Sequence, residues 1–431
     1  REPGQGSAAA PRFHPKAAQR DLTATRLELG LCTHQEKRIL FKGALYGALT
    51  MFMAALLVLA GLTATGRISL HTDAISAGTS RKAAEIQSII ENQFLYEDEV
   101  REEDLQDMSL KGYVAGLGDP YSVYYDKEET EDLLASTEGK YAGIGALMAQ
   151  DQETLEITVQ EVYEDTPAED AGMKNGDVLL SVDGKDVTGM SLSDVVDLVK
   201  GEENTKLTVT VRRDGSSIDM EMTRKIVENR TVKTEMKEGG VGYLKITEFD
   251  SVTYEQFQNG LETLEKEGMT ALVVDLRDNP GGNLDTVCQI LDLLLPEGTI
   301  VYTEDKNGER VDTKTSDDEH QFTKPLAVLV NGRSASASEV FSGAVQDYGT
   351  GTIIGTQTYG KGIVQTLYSL SDGSCLKLTT AQYFTPDGRN IHGEGITPDI
   401  VVEKSADDQT DNQLEKAVET VQNAVDGTEK E

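Results

Sequence analysis

The sequence predicts an α/β protein: an α/β core interrupted by an inserted β-rich domain, preceded by a helical N-terminal region and one transmembrane helix. Three observations carry this. Short apolar runs such as Ala271–Leu276, broken only by Asp275, and Leu326–Val330 each lead into a small-residue turn and then a helix-period segment, as buried strands of an α/β core do. Between Tyr141 and Val227 that rhythm gives way to short alternating strands and glycine turns. Finally, Gly43 to Gly66 is uncharged for 24 residues, enough to cross a hydrocarbon core of roughly 30 Å.

At 431 residues the chain is too long for one ordinary core, so two or three domains are expected. A formal net charge of −35 argues against a nucleic-acid partner, because phosphate binding needs a basic footprint. Cys32, Cys288 and Cys375 are an odd set with no metal or redox spacing, so a disulfide framework is not expected. Cys288 and Cys375 read as small apolar fillers.

The flank before Gly43 is rich in Lys and Arg, which places residues 1–42 in the cytoplasm and everything after Arg67 outside. Residues 1–35 carry no periodicity, and the cytoplasmic stretch 1–42 is expected to be disordered. No Ala-x-Ala site follows the apolar run, so an uncleaved anchor is expected, with 67–79 as a linker. Residues 80–140 then read as helical. Ala84, Ile86, Ile89 and Ile90 share one side of a first helix, and Leu105 through Leu117 suggest a second. Either the two pack on a core of their own or their apolar faces await a partner.

Residues 141–228 begin with Gly143-Ile144-Gly145-Ala146, a turn whose successive N–H groups can form a nest for an anion. Leu155–Val159 alternates as a strand, Gly176–Gly184 is a strand ending in a turn, and Ser191–Lys200 is a capped helix. This ordered set resembles a PDZ domain, and the resemblance implies that Gly143 to Ala146 bind the terminal carboxylate of a peptide. Val195, Val196 and Val199 line either the helix core or the peptide groove.

The second domain, residues 229–405, opens with the strand Val241–Ile246 and a helix from Thr253 to Glu267. Ala271–Leu276 follows, then the turn Arg277-Asp-Asn-Pro-Gly-Gly282 and a helix from Asn283 to Leu295. The strand Leu326–Asn331 runs into Ser334-Ala-Ser-Ala-Ser-Glu339 and a helix through Asp347. Thr352–Gly355 is a strand, followed by Tyr359-Gly-Lys-Gly-Ile-Val-Gln365. Ser374–Thr380 and Ala381–Thr385 read as two strands, and residues 406–431 end in an amphipathic helix over Asp411–Ala424.

A strand that runs into small residues and then a helix can hold a hydroxyl where unpaired N–H groups and the helix dipole favour negative charge. A nucleophilic serine there needs a base, and none of the 5 histidines sits in an obvious pairing context. Lys361 is the candidate. An ordinary lysine, with a pKa of about 10.4, is protonated at neutral pH, but burial without a carboxylate partner lowers that value by up to about 3–5 units. Gln365 suits such a setting, because an amide can aim the amine without the charge that would keep it protonated. On a flat strand the Cα atoms of residues 361 and 365 would be roughly 13 Å apart, so Gly360 and Gly362 are expected to bend the chain.

The serine-rich turn and Gly-Lys-Gly-Ile-Val-Gln, at this separation, resemble the carboxyl-terminal processing peptidases, or tail-specific proteases, from about Ser80 to the C-terminus. The resemblance implies a crotonase-like α/β core and a serine–lysine dyad, with Ser336 as nucleophile, Lys361 as general base and Gln365 assisting. It also implies an oxyanion hole built from Gly281 or Gly282 with the N–H of Ala337. Substrates would be proteins or peptides held by their C-termini, and the helical arm would serve self-association as a homodimer.

Other chemistries compete. Gly355 to Lys361 satisfies the first seven positions of a phosphate loop, but Gly362 stands where Ser or Thr must bind magnesium, so no nucleotide is expected. A Ser–His–Asp triad would have to recruit His392 or His320, neither in a setting that suggests a buried base. A catalytically silent PDZ scaffold and a crotonase-like acyl enzyme remain as alternatives, and neither needs serine and lysine at this spacing. No metal or other cofactor is implied.

Overall fold

The computed structural model describes residues 77–96, 100–405 and 410–427. The expected transmembrane segment, its cytoplasmic flank and Cys32 lie outside the described residues. Among the described residues no helix is long and apolar enough to cross a membrane. The described residues fall into two units, one before and one from Arg101. In the first, α1 (Ala77–Gln93) leaves Ile86 and Ile89 exposed.

The second unit opens with α2 (Glu102–Ala115), which buries only Val114 and exposes Met108 and Tyr113 by 65% and 61%. Contrary to the all-helical reading of residues 80–140, a strand follows: β1 (Val123–Tyr125). Three residues of valine and tyrosine are too few for a sequence period, and they are strand because they find a sheet edge to pair with. Next comes α3 (Lys127–Glu138), fixed by a reciprocal capping box between Asp126 and Glu129.

The insertion enters through β2 (Lys140–Gly143) and continues with β3 (Ala146–Gln150), β4 (Ile157–Val162) and the single turn α4 (Pro167–Asp170). It then forms β5 (Val178–Val182), β6 (Lys185–Asp186), α5 (Leu192–Val199), β7 (Lys206–Arg213) and β8 (Ser216–Thr223). It leaves through β9 (Lys225–Glu228), which pairs antiparallel with β2 as a two-stranded neck. The sheet order is β3-β4-β5-β7-β8, with β6 on β5. Its core includes Ile157, Val159, Leu179, Val209 and Val211. Val195 and Val199 of α5 are in that core, while Val196 is half-buried.

The remaining chain builds two sheets. After β10 (Val232–Lys237) come β11 (Val241–Ile246), α6 (Thr253–Lys266), β12 (Ala271–Asp275) and α7 (Leu284–Asp292). The hairpin β13 (Gly298–Asp305) and β14 (Arg310–Ser316) precedes β15 (Leu326–Val330) and α8 (Ala337–Tyr348). Then follow β16 (Thr352–Gly355), β17 (Ile363–Ser369), β18 (Cys375–Phe384), β19 (Ile400–Val401) and α9 (Asn412–Val425). β18 is one continuous strand where two were expected, because β1, β13 and β17 all pair with it.

The central sheet has the order β10-β11-β12-β15-β16-β19, parallel from β11 onward. Its inner strands β12 and β15 are apolar, Asp275 aside, because both of their faces are covered. Leu272, Val274, Val328 and Val330 meet Phe257, Leu291 and Phe341 of the helices on one face. On the other, Val273, Ala327 and Leu329 meet Ala417 and Val421 of α9. The carboxyl ends of the parallel strands β12, β15 and β16 therefore open together into the loops that carry the asparagine-glycine turn, the serines and the lysine.

Candidate active site

The turn after β15 places three alternate serines, and their surroundings separate them. Ser334 Oγ donates to the Leu276 carbonyl at 2.8 Å, and Ser338 Oγ donates to the Asn279 carbonyl at 3.0 Å. Both hydroxyls thus stitch the serine turn to the loop after β12, helped by Ala335 N–H on the same Asn279 carbonyl. The Ser336 hydroxyl instead lies beside the Tyr383 phenol, and burial pushes that phenol up to about 12. Ser336 has φ 55° and ψ −115°, a conformation that costs a non-glycine residue of order 1–3 kcal/mol and is typically held by its surroundings at functional sites.

What holds it is Glu339. Its fully buried carboxylate accepts the Ser336 N–H at 2.9 Å, the Lys361 N–H at 2.8 Å, the Gly360 N–H at 2.6 Å and the Thr358 hydroxyl at 2.6 Å. One side chain thereby joins the backbone of Ser336 to the backbone of Lys361. In the sequence this residue looks like an ordinary acid in the first turn of a helix, favoured there by the dipole. Only the Ser-x-x-Glu spacing of a capping box hinted at more.

Gly281 and Gly282 meet the serine turn from the other side. A Cβ on Gly281 would lie 2.8 Å from Ser336 Cβ and 3.0 Å from Ala337 N, so only glycine allows the two loops to touch. The Gly281 N–H, however, donates to Asn279 Oδ1 at 2.8 Å. Asn279 is buried and also donates to the Ile246 carbonyl. Among the described residues, the N–H groups of Gly282 and Ala337 make no hydrogen bond within the chain. Of the two glycines, Gly282 is the one with a free donor.

Upstream, Asp275 ends β12 fully buried and accepts the Tyr243 hydroxyl at 2.7 Å. Arg277 grips Asp275 with one edge of its guanidinium and Asp411, the N-cap of α9, with two bonds of 2.8 Å. These bonds hold Asp411 below the usual carboxylate range. The lone charge in an apolar strand, two residues before an arginine, was the visible signal of this clamp.

Lys361 is half-buried, and burial, followed by the like charge of Lys377, pushes its amine pKa down, against the opposing effect of Glu339. Its Nζ makes no hydrogen bond or ion pair among the described residues and lies 4.8 Å from the centre of the Tyr121 ring. The expected bend is present: Gly360 has φ +89°, and a β-bulge separates Val364 from Gln365. A Cβ on Gly362 would strike the His392 backbone at 2.3 Å. Among the described residues Gln365 makes no hydrogen bond to the amine. Gln365 pairs with Thr379 across the sheet, and its amide faces Thr379 Oγ1 and the Ile363 carbonyl, each at 3.5 Å.

His320 and His392 are both exposed. The Gly355 to Lys361 segment runs from strand to strand, β16 to β17. Cys288 and Cys375 are buried free thiols, the former pushed up to about 12 by burial. In the insertion, Gly145 has φ +78° and packs so closely on Thr166 that a Cβ would fall 2.4 Å from it. Ile144 is in the core, and its carbonyl and that of Gly145 accept the N–H groups of Ala168 and Tyr163.

Residues 240–402 match the model of peptidase family S41, residues 158–213 that of a PDZ domain, and residues 40–129 that of the activating protease CtpB N-terminal domain. The chain is 38% identical to a carboxy-terminal-processing protease of Bartonella bacilliformis over 312 residues, 70% of each protein. It is 37% identical to a probable CtpA-like serine protease of Staphylococcus epidermidis over 69% of this chain and 60% of that protein. A similar protein of Staphylococcus aureus is 34% identical over 86% of this chain and 75% of its own length. Among solved structures, the photosystem II D1 C-terminal processing protease is 31% identical, with a TM-score of 0.45 over 75% of this chain and 88% of that one.

Proposed function

The chain belongs to peptidase family S41, as a serine-type carboxyl-terminal processing peptidase with a PDZ domain, and from that premise we propose that Ser336 and Lys361 are its nucleophile and base. The observation that carries this reading is the Glu339 carboxylate, which fixes the two backbones to one another while leaving both side chains unengaged by it.

In the proposed reaction the neutral Lys361 amine takes the Ser336 proton as Oγ attacks the scissile carbonyl carbon. The oxyanion that forms is held by the N–H groups of Gly282 and Ala337, and each such donor is worth about 3–4 kcal/mol of barrier. As the tetrahedral intermediate collapses, the C–N bond breaks and Lys361 returns the proton to the leaving amine. Water then attacks the acyl ester, giving one proton to Lys361, and the ester oxygen of Ser336 takes it back as the carboxylic acid departs. To begin, the lysine side chain must turn from Tyr121 to Ser336. Gln365 keeps the assisting role that the resemblance implies, although its amide faces Thr379 while the lysine rests on Tyr121.

Substrate C-termini are proposed to dock at Gly143 to Ala146, where the N–H groups of Ile144 and Gly145 make no hydrogen bond among the described residues. Residues 43–66 are proposed to anchor the protein in a membrane with the peptidase outside, on the strength of their uncharged length and basic flank. The exposed apolar side chains of α2 support self-association.

The test is cleavage of an unstructured protein by the parent, Ser336→Ala and Lys361→Ala. Both variants should lose turnover, by at least about 10³-fold, while still binding a C-terminal peptide. Cleavage by Lys361→Ala at the parent rate sinks the dyad.

A further inference from the structure

The turn just before β1 is sewn onto β18. The Asp119 carboxylate accepts the Tyr121 N–H at 3.1 Å and the Ser122 hydroxyl at 2.5 Å, and Ser122 Oγ accepts the Thr379 N–H at 3.1 Å. β1 continues the attachment by pairing Val123 with Lys377. Tyr121 is thus set by four fixed points rather than by a mobile loop. Its ring meets the Lys361 amine at 4.8 Å, within the range of a cation–π contact, and among the described residues Nζ makes no hydrogen bond or ion pair.

We propose that Tyr121 is a positioning residue for Lys361, its ring face being the seat on which the charged amine rests when it is not hydrogen-bonded to Ser336. The catalytic consequence rests on the reading of Lys361 as the base. An aromatic face attracts an ammonium through its quadrupole and a neutral amine far less. The seat therefore favours the protonated lysine and releases the amine once it is neutral, the form that can accept the serine proton.

Other groups face the same amine. Lys377 on β18 acts against the protonated form, and Glu339 on α8 acts for it. The Glu339 oxygens are already engaged by four donors, and Tyr359 reaches the Tyr121 hydroxyl rather than the lysine. Removing the ring while keeping its bulk should then shift the proton equilibrium toward the amine, whereas removing the hydroxyl alone should not.

The experiment uses the full 431-residue chain in detergent, carrying lysine labelled at Cε, with the Lys361 signal assigned by its loss in Lys361→Ala. The signal is titrated by NMR in the parent, Tyr121→Leu and Tyr121→Phe, and kcat/KM is measured over the same pH range. In Tyr121→Leu the titration midpoint should fall by about one pH unit, a roughly tenfold shift in the proton equilibrium, and the acid limb of kcat/KM should move with it. Tyr121→Phe should keep the parent midpoint. An unchanged midpoint in Tyr121→Leu, or one in Tyr121→Phe that follows the leucine variant, overturns the proposal. A midpoint that shifts while the limb of kcat/KM stays put leaves the seat standing and removes Lys361 as the base. Should the leucine variant fail to fold, Tyr121→Met is read by the same criteria.

Discussion

On the serine side of the site, position is fixed by buried bonds from backbone to backbone and from hydroxyl to carbonyl, with Asn279 and Glu339 as the two hubs. On the lysine side the backbone is tied to the same Glu339, but the amine, among the described residues, makes no hydrogen bond or ion pair and rests on a ring. The difference teaches where this site can move. Ser336 and the N–H groups of Gly282 and Ala337, the proposed nucleophile and donors, belong to a hydrogen-bonded junction between two strand ends, whereas the Lys361 amine, the proposed proton carrier, is held by no hydrogen bond among the described residues.

The largest break in that comparison should come from Glu339→Ala. It leaves four donors without their carboxylate in a dry interior, which costs about 3–5 kcal/mol and removes the bond common to both halves. Urea denaturation should show a correspondingly lower midpoint, and a midpoint equal to the parent's would mean that the junction is held by something else.

Gly281→Ala should act on the serine side alone. The added methyl group meets Ser336 Cβ, and φ +107° is strained for alanine, so kcat should fall by about 10²-fold as the two loops are pushed apart. Binding of a C-terminal peptide should be unchanged, because the insertion is not touched. A variant with parent kcat would show that the loops need not be in contact.

The smallest effect sharpens the lysine side. Lys377 carries a like charge that holds the Lys361 pKa down, so Lys377→Gln should raise it. Less of the lysine is then neutral at any pH below the new value. The acid limb of kcat/KM should move to higher pH, by up to about one unit, and a shift to lower pH would contradict the sign of the interaction.

Much of this arrangement could be read from the chain before folding. The buried strands announced themselves by apolar runs, and the helix start at Ser191 by a side chain that does accept an N–H of its first turn. The spacing of serine and lysine led to the expectation that one compact unit would hold both, and both backbones bond to the Glu339 carboxylate. What stayed hidden depends on tertiary partners. Glu339 is an ordinary helix acid until the loop of residues 358–361 folds over it. The choice between Gly281 and Gly282 is made by the Asn279 side chain, and the direction of Gln365 by its pairing with Thr379. Tyr121 belongs to a stretch whose period suggested only helix.

The bond between Ser122 and Thr379 joins residues 257 positions apart in the chain. Contacts of such sequence separation close late, because the intervening loop must first lose its freedom. During synthesis, then, the insertion and most of the central sheet have been translated before β18 emerges and gives the tyrosine turn its anchor. The order of manufacture places the Tyr121 turn among the last parts to be finished, so a half-made chain holds Ser336 before the surroundings of Lys361 are complete.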